Sequence, residues 1–201
     1  MDFIIIYVEQ KNFAVSQATY DYVLCIDADE ALSQELKQSI LALKPHLQEE
    51  DAYSFNRLTN YAGVWVKSCG WYPDCSTRLF HRKKAHWGGD NPHDKVLLHS
   101  EQGKTRHLSG DLFHYSYDSV TEHVAQTNRF TTIAAHAAYE KGVRSSLFKI
   151  ASRAFFCFIK CYFLRRGFLD GKYGLVISFI NTMAVLLKYT KIKELQENKM
   201  I

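Results

Sequence analysis

Apolar positions along this chain follow two different periods, and the change of period divides it. Up to about residue 118, short apolar or alternating runs are punctuated by Gly, Asn, Asp and Pro, the pattern of strands joined by turns. Beyond that point apolar residues recur at helical spacing. Residues 3–8 read as a strand and residues 9–19 as a short helix with Phe13 and Ala14 turned inward. Residues 21–26 read as a buried strand. Ser33 is the expected N-cap of an amphipathic helix carrying Leu36, Ile40, Leu43 and Leu47, shortened by Pro45. Residues 52–58 and 62–67 alternate as strands around a turn at Asn60, Ala62 and Gly63. A loop at 71–74 precedes a strand at 77–81. The Gly-, His- and Asp-rich stretch 85–95 reads as a loop, and 111–115 as a further strand. Ser119-Val-Thr-Glu122 is a capping box that starts a helix at residue 120, running to about Tyr139, and the chain is helical in pattern from Ser146 onward. This order predicts an α/β fold: a sheet region over 1–118 followed by a helical region over 119–201.

A chain of 201 residues with 47% hydrophobic content can bury a core, which excludes wholesale disorder. Its five cysteines are odd in number and form no Cys-x-x-Cys pair, so neither a disulfide framework nor a zinc ribbon is expected, and a reducing cytoplasm is. The first six residues are too short, and lack the basic flank, for a secretory leader. Charge is uneven. Residues 144–193 hold ten Lys or Arg and one acid, Asp170, giving +9, while the remainder carries −5. An acidic body with a basic, aromatic tail points to an anionic surface as the tail's partner. Lys149, Arg153 and Lys160 fall in one narrow stripe of a helix, with Phe155, Phe158, Ile159, Tyr162 and Phe163 over much of the rest, as in an interfacial helix. The uncharged run Tyr173–Leu187 is fifteen residues, short of the roughly 20 needed to span a bilayer. The tail's aromatics lie on a helical apolar face rather than a stacking platform, so nucleic acid is not expected as a partner.

The densest chemistry lies at Tyr22-Val-Leu-Cys-Ile-Asp27-Ala-Asp29-Glu30, where an apolar run ends in three carboxylates. A buried parallel strand looks like this when it delivers acidic groups to the carboxyl edge of a sheet, where α/β folds bind ligands. Two carboxylates spaced Asp-x-Asp can share one hard cation, and Mg²⁺ or Mn²⁺ held this way can hold phosphates. The histidines show no regular metal-ligand spacing, so no zinc site is read.

Five motifs then follow in order: Glu9-Gln-Lys-Asn-Phe-Ala14 with the acidic run, Trp71-Tyr-Pro-Asp74 with Arg78-Leu-Phe-His-Arg82, Pro92-His-Asp94, His114-Tyr-Ser-Tyr117, and Arg165-Arg-Gly-Phe-Leu-Asp-Gly171. Together they resemble the family 2 inverting glycosyltransferases of GT-A fold, in particular the bacterial branch that builds the lipopolysaccharide inner core. The resemblance implies an incomplete GT-A, Rossmann-like mixed sheet. The family's opening strand–helix–strand nucleotide-binding unit, which takes about 30 residues, has no match before Gln10.

The resemblance also implies roles. Asp29 would ligate a Mg²⁺ or Mn²⁺ ion bridging the donor's phosphates, with Asp27 facing the ribose or a metal-bound water. His114 would be a third ligand or phosphate contact. Asp94 would be the base that takes the acceptor's proton, with Asp74 as its alternative. Arg78 and Arg82 suit a diphosphate or acidic sugar, and Trp71 and Tyr72 a sugar ring. The substrates implied are a nucleotide-sugar, with glucose or a similar hexose, and a lipopolysaccharide-core or other lipid-linked acceptor, met at the cytoplasmic face of the bacterial inner membrane. A second reading is a catalytically inactive module that binds a membrane or a partner.

Overall fold

A computed structural model describes residues 7–89 and 94–197. It is an α/β fold with C-terminal helices, as the patterning predicts, and its sheet is mixed, as the resemblance implies. The sheet runs in the order β1 (Tyr22–Leu24), β5 (Asp74–His81), β3 (Ala52–Tyr61), β8 (Thr105–Tyr117), β2 (Glu30–Leu32), with β4 (Val64–Val66) paired to β3. A separate hairpin joins β6 (Ala85–Gly88) to β7 (Lys95–Leu98). The chain forms two compact units, residues 1–58 with 73–114 and residues 59–72 with 115–201.

In the first unit the strands alternate between two apolar layers. Tyr53, Phe55 and Leu79 pack with Leu36 and Leu43 of helix α2 (Gln34–Leu43). Ala52 and Phe80 point the other way, to Val15 of α1 (Tyr7–Ser16) and to Ala85 and Trp87 of the hairpin. Helix α2 begins where expected: the Ser33 hydroxyl accepts from the Leu36 N–H at 3.1 Å and also from the Asp111 N–H at 3.0 Å. Gly110 makes this docking possible. Its φ is +96°, and a Cβ there would lie 2.3 Å from the Leu36 nitrogen. The α-helix ends at Leu43, and Pro45 opens a 3₁₀ turn over Lys44–Glu49.

Several sequence expectations are corrected here. The strand expected at 3–8 falls mostly outside the described residues, and Tyr7 and Val8 open α1. Val15, not Phe13, is the inward residue of α1; Phe13 is 68% exposed. The strand before Asp27 is neither parallel nor fully buried, because β1 pairs antiparallel with β5 and has no partner on its other side among the described residues. Residues 85–95 are not all loop: Ala85 and Trp87 turn inward in a hairpin strand despite the turn-rich composition.

The second unit holds α3 (Val120–Glu140), α4 (Leu147–Ile159), a π turn at Lys160–Leu164, a 3₁₀ turn at Gly167–Asp170 and α5 (Gly171–Glu197). The capping box forms, with the Ser119 hydroxyl accepting from Glu122 N and the Glu122 carboxylate from Asp118 N. The segment Arg165–Gly171 is structural here. The Asp170 carboxylate accepts from the backbone of Lys67 and Ser68 and from the Ser68 hydroxyl. A Cβ at Gly174 would lie 1.7 Å from the Gly167 carbonyl oxygen, so α5 meets this turn backbone to backbone. The helix spanning Gly167–Glu197 is long and apolar enough to cross a membrane by length and composition.

The core of this unit is polar at one point. Tyr61 is buried among Trp71, Tyr117, Tyr173 and His123, and its hydroxyl lies 3.1 Å from His123 Nδ1. Burial pushes the Tyr61 pKa up to about 12 and that of His123 down from 6.5 to about 4. The folded protein therefore keeps His123 neutral over a range in which the unfolded chain protonates it. Stability that is complete above pH 6.5 should fall by roughly 3 kcal/mol as the pH drops to 4. Urea unfolding of wild type and His123→Gln across this window measures it. The wild type is expected to show the steeper loss on acidification, and parallel profiles would remove His123 as its source.

Candidate active site

The acidic turn after β1 is built by reciprocal hydrogen bonds. Glu30 N donates to the Asp27 carbonyl at 3.0 Å, and the Glu30 carboxylate accepts from Asp27 N at 2.8 Å. Glu30 therefore serves the turn, with its side chain buried against Arg78 Nη2 at 2.8 Å and Arg57 at 3.7 Å. A buried carboxylate requires such partners.

Arg78 is itself only 4% exposed and points inward, its Nη2 also reaching Asp27 Oδ2 at 3.1 Å. Nε and Nη1 are buried without a partner among the described residues, and the guanidinium lies 5.3 Å from the Trp87 ring. Burial pushes the Asp27 carboxyl up, but the Arg78 guanidinium and the Lys11 ammonium outweigh it and hold its pKa below the ordinary range.

Lys11 is the residue that sequence reasoning missed. Its ammonium lies 3.2 Å from Asp27 Oδ1 and 2.7 Å from Asp94 Oδ2, so one cation joins the acidic turn to the residue expected as base. It also sits 4.3 Å from the Trp87 ring centre. The neighbouring Asn12 explains how it arrives there. Its side-chain amide donates to the Trp87 carbonyl at 2.8 Å and accepts from the Trp87 N–H at 2.9 Å, pinning α1 to the hairpin. The Lys-Asn doublet in the first motif was the available signal.

On the other flank, Asp29 is half-exposed and its Oδ2 lies 3.2 Å from His114 Nε2. Antiparallel register brings them together, because Glu30 of β2 stands opposite His114 of β8. Burial lowers the His114 pKa, and the Arg57 charge adds to this against the pull of Asp29 and Glu30. This favours the neutral imidazole, the form that binds metals. Its Nδ1 is buried without a hydrogen-bond partner among the described residues.

Asp27, Asp29, Asp94 and His114 all belong to the first unit, on the two flanks of one turn. Asp74 stands opposite Arg57 across the β3–β5 pairing and accepts from it at 2.6 and 2.9 Å, so that carboxylate is engaged. Arg82 donates to the Ala18 carbonyl at 2.7 Å and lies 3.7 Å from Asp21, steadying the loop before β1. Trp71 and Tyr72 belong to the second unit, where Trp71 packs edge-on against Tyr61.

A cavity of about 330 Å³ opens beside Lys11 and Asp27, walled by Val15, Val23, Cys25 and Trp87. A larger one, about 790 Å³, lies at Tyr20, Asp21, Tyr22 and Lys44, and its acid is already taken by Arg82 and Lys83.

Among the described residues no three His, Cys, Asp or Glu side chains are arranged to hold a metal. The pair Asp29 Oδ2 and His114 Nε2 nevertheless fits part of one. Their 3.2 Å separation matches the spacing of about 3 Å between adjacent ligands of an octahedral ion bound at 2.0–2.1 Å.

Comparison with known proteins places the chain beside bacterial sugar transferases. It is 34% identical over 197 residues, covering 94% of this chain and 68% of the relative, to an uncharacterized glycosyltransferase of Rickettsia prowazekii. It is 35% identical over 198 residues, with the same coverage, to an uncharacterized glycosyltransferase of Rickettsia typhi. At 23% identity over 191 residues it matches the lipopolysaccharide core biosynthesis glycosyltransferase LpsC of Rhizobium meliloti, covering 91% of this chain and 70% of that protein. No family model matches.

Proposed function

The chain belongs to the glycosyltransferase family of these relatives, and from that premise we propose that it is an inverting transferase of GT-A type. In this reading it moves a hexose, glucose or a close analogue, from a nucleoside-diphosphate sugar to a lipopolysaccharide-core or other lipid-linked glycan on the cytoplasmic side of the inner membrane. The role of the rhizobial relative in lipopolysaccharide core biosynthesis supports the acceptor class. The observation that carries the chemistry is the Lys11 ammonium holding Asp27 and Asp94 together, with Asp29 and His114 on the other flank of the same turn.

Each group then has one task. Asp94 takes the proton of the acceptor hydroxyl as that oxygen attacks the anomeric carbon, and the bond to the nucleoside diphosphate breaks on the opposite face. Lys11 positions Asp94 against the turn. Asp27, braced by Lys11 and Arg78, faces the ribose beside the cavity that Trp87 and Val23 wall. Asp29 and His114 would hold Mg²⁺ or Mn²⁺, which supplies charge to stabilise the leaving diphosphate.

Two protein ligands make a weak metal site on their own. Calorimetry should find shallow Mn²⁺ binding without nucleotide, tightened about tenfold or more by uridine diphosphate, whose oxygens raise the ligand count. Asp29→Ala is expected to abolish the tightening. Tight binding of Mn²⁺ alone, or binding indifferent to Asp29→Ala, would remove the metal from this site.

A further inference from the structure

The second unit exposes large rings that its fold does not use. Helix α4 packs through a stripe in which Ala154 is buried and Ile150 and Cys157 are half-buried. Its outward stripe carries Phe148 and Phe155, which are 84% and 62% exposed. Past the end of α4, the surface continues as a chain of touching rings. Phe168 meets Tyr162, Tyr162 stacks on Phe158, and Phe158 meets both Phe163 and Phe179 of α5 at centroid distances of 4.9–6.4 Å. Phe163, Phe168 and Phe179 are each about half exposed. A patch of this kind on a water-soluble surface marks an interaction site.

Charge identifies what the patch meets. Beside the exposed Phe156, Arg153, Lys160 and Lys188 line a groove of about 610 Å³ whose walls are apolar, among them Phe130 and Val185. The one acid between residues 144 and 193, Asp170, is spent on the Lys67 and Ser68 backbone. Basic groups beside exposed phenylalanines, with no free acid among them, complement a surface that is negative above and apolar below. A protein partner would need an acidic rim around an apolar pocket, whereas an anionic bilayer presents both by construction.

We propose that this face of the second unit docks on an anionic lipid surface, α4 lying in the interface with its rings among the acyl chains and Lys160 at the headgroups. The reading extends past sugar transfer and stands on different residues. Helix α5 packs on α3, and Lys191 of α5 donates to Asn128, Thr131 and Thr132 of α3 at 2.8–3.0 Å. A span made by α5 alone would break this packing on α3.

The test uses the full chain with vesicles of equal parts phosphatidylglycerol and phosphatidylcholine, and with phosphatidylcholine alone. Co-sedimentation should be at least about tenfold stronger with the anionic vesicles and should weaken as the screening length falls from about 10 Å in 0.1 M salt to about 3 Å in 1 M. Phe155→Trp should add an emission component that shifts to the blue with anionic vesicles only. Combining Phe148→Ser, Phe155→Ser and Lys160→Glu should lower binding about tenfold or more, with an unchanged circular dichroism spectrum showing that the fold persists. Equal binding to both vesicles, or undiminished binding of the triple variant, overturns the proposal. So does resistance to alkaline carbonate extraction, which would indicate a spanning helix. Self-association that the triple variant abolishes, without vesicle binding, would assign the patch to a second copy of the chain.

Discussion

Asp94→Asn should lower the turnover of sugar transfer by roughly a hundred- to ten-thousandfold, the range of a lost general base. The substitution keeps the size of the side chain and its ability to accept a hydrogen bond from Lys11, now 2.7 Å away. It removes the negative charge and with it the capacity to take a proton. The KM for the nucleotide-sugar should therefore change little, because the binding groups are untouched. Nucleotide release from a panel of uridine and guanosine diphosphate sugars, with inner-core lipopolysaccharide as acceptor, is the measurement. Asp74→Asn is the control, since that carboxylate pairs with Arg57 and not with the Lys11 that joins Asp94 to the acidic turn. A loss with Asp74→Asn and near-normal turnover with Asp94→Asn would exchange their roles.

Arg78→Met should be the most destabilising change at the site, costing about 3–5 kcal/mol, the usual effect of removing one partner from a buried ion pair. Glu30 would keep only the Asp27 N–H and the more distant Arg57. The cost arises from leaving a carboxylate charged without adequate neutralisation, more than from the lost attraction. Arg78→Met combined with Glu30→Gln should therefore lose less than the sum of the two single changes. Urea unfolding of the four proteins completes the cycle. Additive losses would mean that Arg78 acts through packing on Trp87 rather than through charge.

The same arginine shows where a sequence is readable. Alternation along Thr77–His81 correctly indicates a strand, but it assigns Arg78 and Phe80 to one face without saying what that face meets. It meets Asp27 and Glu30, 51 and 48 residues away. Lys11 is a stronger case, because its partner Asp94 is 83 residues distant and the Lys-Asn doublet of its motif does not say what the lysine meets. The hairpin at Ala85–Gly88 was hidden for a related reason. Its Gly, His and Asp content signals a turn, while its strand character comes from pairing with Lys95–Leu98 and from the burial of Trp87.

Features whose partners lie within one turn of chain were legible from the residues alone: the Ser33 and Ser119 caps, the end of α2 ahead of Pro45, the acidic turn, and the separation of a basic tail from an acidic body. Their physics is local hydrogen bonding, fixed dihedrals and summed charge, none of which needs a neighbour from far away. Folding settled the pairing of charges: Glu30 to the buried Arg78, Asp74 to Arg57, Asp29 to His114, and Asp27 and Asp94 to one lysine. A carboxylate's task depends on which cation, imidazole or water reaches it, and sheet register and helix docking set those distances.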